Sequence, residues 1–260
     1  MNYKTLYSQA RYYDVIHNRD VSRDLDFFQS VFKKICENEL KSLLDLACGP
    51  GYHVIEASKR NIRATGIDVN SPMLDYAKLK TPKNNQNTTW SHQDIRAFSL
   101  NEKFDIAICL FDTIALLTTN EELIQHLINV SEHINPGGLY IIEMTHPRWN
   151  SITHFEVFKD TGFKDGVSVE IIYGSNTPVP DLVTGVATME VEMIVVEDGE
   201  KMVFKDSALE RVLCPQELIL LAQLSGAFDV VQWFGDFDTN QPLTTSSESS
   251  RMICVLQSRK

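Results

Sequence analysis

The chain is 260 residues long and 43% hydrophobic, so it can bury a large core as one domain with an insertion and needs no covalent or metal staple. Its formal charge of −11 repels phosphate backbones, which makes nucleic acid a poor partner. The five cysteines, Cys36, Cys48, Cys109, Cys214 and Cys254, are scattered and contain no C-x-x-C pair, which argues against a zinc site and against a disulfide framework.

The chain opens with aromatic residues, Tyr3, Tyr7, Tyr12 and Tyr13, and then an amphipathic run from Asp24 to Phe32 that predicts a helix. Ser42-Leu43-Leu44 starts a buried strand. Asp45-Leu46-Ala47-Cys48-Gly49-Pro50-Gly51 forms a tight turn, and Tyr52 to Arg60, including His53, reads as the following helix. A strand, a glycine turn and a helix N-terminus let backbone approach a ligand closely. The Asp45 carboxylate at that place suits an ammonium group better than a pyrophosphate. Val54 stands where a dinucleotide fingerprint needs its third glycine, and no Gly-Lys-Ser/Thr ending marks a P-loop. Taken alone, Gly-Pro-Gly is also an ordinary turn.

Ile62 to Asp68 reads as a second strand ending in a carboxylate, 23 residues after Asp45, a distance at which an acid can reach ribose hydroxyls. Asp68 can equally open the next helix, which Asn70-Ser71-Pro72 would cap and Met73-Leu74 would continue. Thr88 to Ser91 predicts a third strand leading to Asp94, beside the same crevice. Phe104 to Leu110 is a fourth, continuously apolar as in a strand buried on both faces. Leu139 to Met144 is a fifth, entered through the turn Asn135-Pro136-Gly137-Gly138.

These segments together resemble a class I S-adenosylmethionine (SAM)-dependent methyltransferase. Leu44 to Gly51 is similar to that family's first motif, Thr65 to Met73 to the second, Gln93-Asp94-Ile95 to the third and Phe104 to Phe111 to the fourth. The resemblance implies a Rossmann-like α/β fold with a seven-stranded sheet, mostly parallel with an antiparallel last strand. It implies SAM as cofactor and S-adenosylhomocysteine as its product. Asp45 and the backbone of Ala47, Cys48, Gly49 and Gly51, with His53 beside them, would face the methionine part. Asp68 would bind the ribose hydroxyls, Val69 and Met73 would flank the adenine, and Asp94 with Ile95 would meet its amine. Leu110 and Phe111 would stand where the transferable methyl points. In related enzymes a tyrosine-bearing N-terminal segment folds over the cofactor. Residues 1–40 are accordingly expected as a helical lid, with Tyr13 either on the cofactor or simply packed, Tyr12 packed, and Tyr7 offering a hydroxyl to substrate. Residues 41–149 are the expected SAM-binding core.

Past the fifth strand, residues 150–213 read as an antiparallel β insertion set beside the C-terminal edge of the sheet. Val167 to Tyr173 and Thr188 to Val196 alternate as strands do, and Asp198-Gly199 is a hairpin turn before Lys201 to Phe204. Residues 214–260 supply a helix from Gln216 to Leu224, stopped by Gly226, and the strands Asp229 to Phe234 and Met252 to Leu256. Asn240 to Arg251, rich in serine and threonine, is a loop. Such an insertion is similar to that of small-molecule methyltransferases, including those that N-methylate amino sugars, but Leu116 stands where amino-sugar members carry a histidine.

The acceptor side is less determined. His146, just after the fifth strand, is a general-base candidate or a loop-capping histidine. Asp112 either orients an amine or caps the next helix. Arg148 binds an acceptor carboxylate or lies on the surface, with Trp149 beside it as a second substrate-binding candidate. The expected activity is methyl transfer from SAM to a nitrogen or oxygen of a small molecule. The alternatives are a catalytically silent SAM-binding regulator and a peptide or protein methyltransferase. No metal is expected. Residues 1–7 lack an apolar leader core, and the apolar run 106–117 is too short to span a bilayer. A cytoplasmic protein without a membrane partner is therefore expected, with a homodimer allowed.

Overall fold

The structure, a computed structural model, describes residues 6–146, 151, 153, 155–243 and 249–259. Its centre is β1 (Ser42–Leu46), buried at every position, which pairs in parallel with β2 (Arg63–Asp68) on one side and β4 (Phe104–Cys109) on the other. With β3 (Thr88–His92), β5 (Ile134–Thr145), β10 (Phe228–Phe234) and β11 (Arg251–Ser258) the sheet has seven strands, ordered β10-β11-β5-β4-β1-β2-β3. β11 runs antiparallel to both of its neighbours. The order reverses between β1 and β4, and a crevice opens at the carboxyl ends of strands at such a switch point.

Helices cover both faces, which is why β1 and β4 are buried and mostly apolar. On one face α2 (Ser22–Cys36), α3 (Tyr52–Lys59) and α4 (Ser71–Lys80) bury Phe28, Val31, Val54, Ala57 and Leu74. On the other, α5 (Asn120–Glu132) and α6 (Pro215–Ser225) bury Leu123, Leu127, Leu218 and Leu221. α5 was not among the expected elements. A capping box starts it: the Thr119 side chain accepts from the Glu122 N–H at 3.1 Å while Glu122 reaches back. The expected turn at 135–138 is a bulge inside β5, whose partner register jumps from Ile134 to Leu139.

The insertion is a four-stranded antiparallel meander of β6 (Phe158–Lys164), β7 (Val167–Tyr173), β8 (Val186–Glu197) and β9 (Glu200–Arg211). Asp198 and Gly199, at φ 51° and 81°, turn the β8–β9 hairpin. Rather than only flanking the main sheet, its inner face (Val169, Ile171, Val191, Met193) packs against α1 (Ala10–His17) through Tyr12, Tyr13, Val15 and Ile16. β6 was not anticipated, because its exposed, charged sequence lacks alternation.

α1 is fastened by one carboxylate. Asp14, buried, accepts from the Tyr52 hydroxyl at 2.9 Å, the Tyr76 hydroxyl at 3.1 Å, Asn18 Nδ2 at 3.3 Å, and the ammonium groups of Lys80 and, at 3.2 Å, Lys164. Burial pulls its pKa upward, and the hydrogen bonds from Lys80 and Tyr52 overcome that and leave it lowered. Among the described residues no helix is long and apolar enough to cross a membrane.

Gly162 on β6 lies under α1: a Cβ there would sit 2.5 Å from the Val15 carbonyl oxygen. Gly162→Ala is expected to lower stability by about 1–3 kcal/mol. It should also make α1 the first site of limited proteolysis while far-UV circular dichroism stays native. An unchanged cleavage pattern would contradict this packing.

Candidate active site

The turn after β1 is built on left-handed backbone: Ala47 has φ 60°, Gly49 51° and Gly51 77°. Glycine is required at 51 because a Cβ would lie 2.2 Å from Trp90 Cη2. A Cβ at Gly49 would meet nothing within 4 Å, so open space adjoins the backbone there. The Gly49 N–H donates to Asp68 Oδ2 at 2.9 Å, which ties this turn to the end of β2.

Two buried acids face the same region. Asp45 has a buried Oδ2 with no hydrogen-bond partner among the described residues, and burial lifts its pKa from 3.8 to about 7, with His53 opposing and Asp68 adding to the rise. An unpaired buried carboxylate oxygen is costly and is best relieved by a cation. Asp68 is also raised by burial, against the N–H donors of Asn70 and Gly49. Its Oδ1 accepts from the Asn70 N–H at 2.7 Å and from Asn70 Nδ2 at 3.2 Å. Asn70 therefore does not cap α4 with its side chain. Three donors occupy most of Asp68's lone pairs, so two ribose hydroxyls would need the weaker Asn70 amide contact to give way.

The remaining cofactor-side candidates divide. Val69, 42% exposed, borders the crevice, whereas Met73, 1% exposed, sits in the interior and can only support it from beneath. Asp94 is half-buried and accepts from the Arg96 N–H at 2.9 Å, with the Arg96 guanidinium 3.4 Å away. Ile95 is buried in the core, and its carbonyl accepts from buried His126 at 2.9 Å. Cys48 is buried beneath the turn. The His53 side chain reaches α2, with Nε2 3.0 Å from Asp24 Oδ2, and stays within electrostatic reach of Asp45.

At the end of β4, Leu110 is buried and Phe111 is 49% exposed. Phe111 and Asp112 adopt φ 55° and 58°, two left-handed non-glycine residues in succession. This strain is held by the Phe111 N–H, which donates to Glu143 Oε2 at 2.7 Å. Glu143 on β5 also pairs with Arg251 Nε, and Arg251 Nη1 reaches Asp112 Oδ2 at 2.6 Å and Thr145 Oγ1 at 2.7 Å. Asp112 accepts further from the Thr145 N–H at 2.6 Å. Asp112 thus neither caps the following 3-10 helix (Thr113–Leu116) nor stands free for an amine: it is one end of an ion-pair chain. Sequence reasoning missed Glu143 and Arg251. A carboxylate inside the apolar run Leu139 to Met144 was the available signal.

His146 sits at the carboxyl end of β5, its N–H donating to the Ser250 carbonyl at 2.8 Å. Arg148 and Trp149 lie outside the described residues. The Tyr7 and Tyr13 rings meet at 5.4 Å, tilted by 54°, and Tyr13 is close enough to Asp68 for that charge to raise its pKa, after burial and Tyr173. Leu116 packs toward the insertion, and its carbonyl accepts from Arg96. Between β9 and the ends of β4 and β5, a pocket is lined by Asp112, Thr145, Phe155, Glu210 and Arg211. Arg211 Nε is buried without a hydrogen-bond partner among the described residues. Among the described residues no cluster could hold a metal ion.

The profile of the methyltransferase domain family matches residues 43–138. The chain is 33% identical over 135 residues to a dTDP-3-amino-3,4,6-trideoxy-alpha-D-glucopyranose N,N-dimethyltransferase of Streptomyces venezuelae, covering 52% of this chain and 50% of that one. It is 32% identical over 144 residues, 54% of each chain, to a dTDP-4-amino-2,3,4,6-tetradeoxy-D-glucose N,N-dimethyltransferase of Saccharopolyspora spinosa. The chain thus spans about half the length of these curated relatives. In fold it is similar to the CcbJ methyltransferase of Streptomyces caelestis, with TM-score 0.77, 18% identity and full coverage of both chains. It is likewise similar to Streptomyces venezuelae DesVI, with TM-score 0.71, 24% identity and coverage of 96% of this chain and 94% of that one.

Asp45 binds its proton more tightly folded than unfolded, so its contribution to stability falls as pH rises from 3.8 to about 7 and is lowest above that. Asp45→Asn is expected to stabilise the ligand-free protein at pH 8 by roughly 2–4 kcal/mol, with the gain vanishing near pH 4. Urea unfolding at the two pH values measures it, and a pH-independent difference would refute the burial argument.

Proposed function

We propose, for a chain whose residues 43–138 match the methyltransferase domain family, transfer of a methyl group from SAM to a nitrogen of a small-molecule acceptor. The observation that carries this reading is the unpaired, buried Asp45 oxygen beside the open space over Gly49. A ligand with an ammonium group, as in the methionine part of SAM, fits both.

The sulfonium supplies an activated methyl group with a good leaving group, so the protein's work is binding and orientation. Asp45 would take the ammonium, and the Ala47–Gly51 backbone would lie along the methionine part. Asp68 would accept ribose hydroxyls after Asn70 Nδ2 swings aside, with Val69 against the adenine and Asp94 near its amine. Phe111 would border the methyl, held by the Glu143–Arg251–Asp112 chain. The acceptor would enter from the side of the insertion and α1, which leaves room for a small molecule rather than an open protein groove. The charge of −11 supports a small acceptor over nucleic acid. The N,N-dimethyltransferase names of the relatives support nitrogen as the atom attacked and a nucleotide-linked amino sugar as the acceptor class.

Calorimetric titration with S-adenosylhomocysteine should show binding, and Asp68→Ala should weaken it by roughly 10–100-fold. Labelled SAM offered with a panel of dTDP-linked amino sugars and simple amines should label an amine. Absence of S-adenosylhomocysteine binding would refute the reading of the crevice. Labelling of hydroxyl compounds alone would refute nitrogen as the target.

A further inference from the structure

Asp112 is locked in an ion-pair chain, and Leu116 carries no group that can meet a polar acceptor atom. A different side chain occupies the mouth of the crevice. His17 closes the last turn of α1, its ring 4.2 Å from Tyr13, 6.4 Å from Phe111 and 6.5 Å from Tyr173. Phe111 marks the carboxyl end of β4, and Tyr13 feels the charge of Asp68, so this side of α1 looks onto the crevice. Three phenols, Tyr7, Tyr13 and Tyr173, converge here and hydrogen-bond through Tyr173.

Resting on the N-transfer reading above, we propose that His17 accepts a hydrogen bond from the N–H of the neutral acceptor amine and thereby points its lone pair at the methyl carbon. The Tyr173 hydroxyl lies 3.5 Å from His17 Nε2, long for a hydrogen bond, so that nitrogen is weakly held and open to a better donor. The titratable and charged groups around the ring are Tyr13 and Arg19 on its own segment, Asp160 on β6 and Tyr173 on β7. Burial holds the imidazole down to about 4, against the pull of Asp160, so at neutral pH it carries a lone pair to accept with. The amine lone pair forms the new N–C bond, and the electron pair of the carbon–sulfur bond goes to sulfur. The positive charge moves from sulfur to nitrogen, and the product leaves as an ammonium that loses its proton to water.

The test compares His17→Leu, His17→Gln and Tyr173→Phe with the wild type, using the amine labelled in the panel above. S-adenosylhomocysteine affinity should stay within about threefold in all of them. His17→Leu should lose on the order of 10²-fold in kcat/KM, the scale of a lost orienting contact. His17→Gln, whose amide oxygen can still accept, should recover most of that loss. Tyr173→Phe, which removes the long contact to His17 and the bonds to Tyr7 and Tyr13 but leaves His17 able to accept, should cost far less than His17→Leu. Equal rates in His17→Leu and wild type would overturn the proposal. So would a Gln variant as poor as the Leu variant with cofactor affinity intact, because packing alone would then explain the loss. Should His17→Leu fail to fold, the Gln variant and Tyr173→Phe decide. A wild type that binds S-adenosylhomocysteine but methylates no amine removes nitrogen as the target, and the role of His17 with it, while leaving the cofactor site standing.

Discussion

The carboxylate of Asp14 holds together what the rest of the site relies on. It gathers donors from α3, α4, β6 and α1's own C-terminal end around one buried charge. Such a cluster is worth more than its separate contacts, because loss of one donor leaves a buried charge less satisfied. α1 itself buries little apolar surface on the main sheet and is wedged between that sheet's helices and the insertion. Asp14 ties α1 to α3 and α4, while packing on the insertion and the Arg11 and Tyr12 bonds to Glu197 hold its other side.

The two halves of the crevice are made rigid by different means. On the cofactor side the backbone does the work: left-handed residues at 47, 49 and 51 and the Gly49–Asp68 bond fix the turn against β2. On the acceptor side, where Phe111 and Asp112 strain the chain, side chains hold the shape through Glu143, Arg251 and Asp112. Strain of that kind persists only when the surroundings over-determine it.

The central strands and the acids at their ends were legible because burial on both faces leaves continuous apolar runs, which stop where a carboxylate meets solvent or ligand. Asp68 ends β2, and Asp45 stands one residue before the end of β1. The bulge at Asn135 to Gly138 was legible as a turn but not as part of a strand, since pairing resumes only after the extra residues. β6 escaped because its side chains are largely exposed and its stability comes from pairing with β7 and from backbone packing under α1. α5 escaped although Thr119 and Glu122 write its start plainly. His53 illustrates the deeper limit: its position on the first turn of α3 is clear, but its direction depends on Asp24, nearly thirty residues earlier. His17 and Arg251 likewise acquire meaning only from neighbours far away in the chain, which periodicity cannot report.

β11 is threaded between β5 and β10, and its first residue is Arg251. The counter-ion of Glu143 and Asp112 therefore emerges from the ribosome after every other strand of both sheets. A nascent chain can assemble β1 to β4 early, from contacts close in sequence. Until β11 docks, Glu143 and Asp112 repel each other with no guanidinium between them. Order at this end of the crevice thus waits on β11.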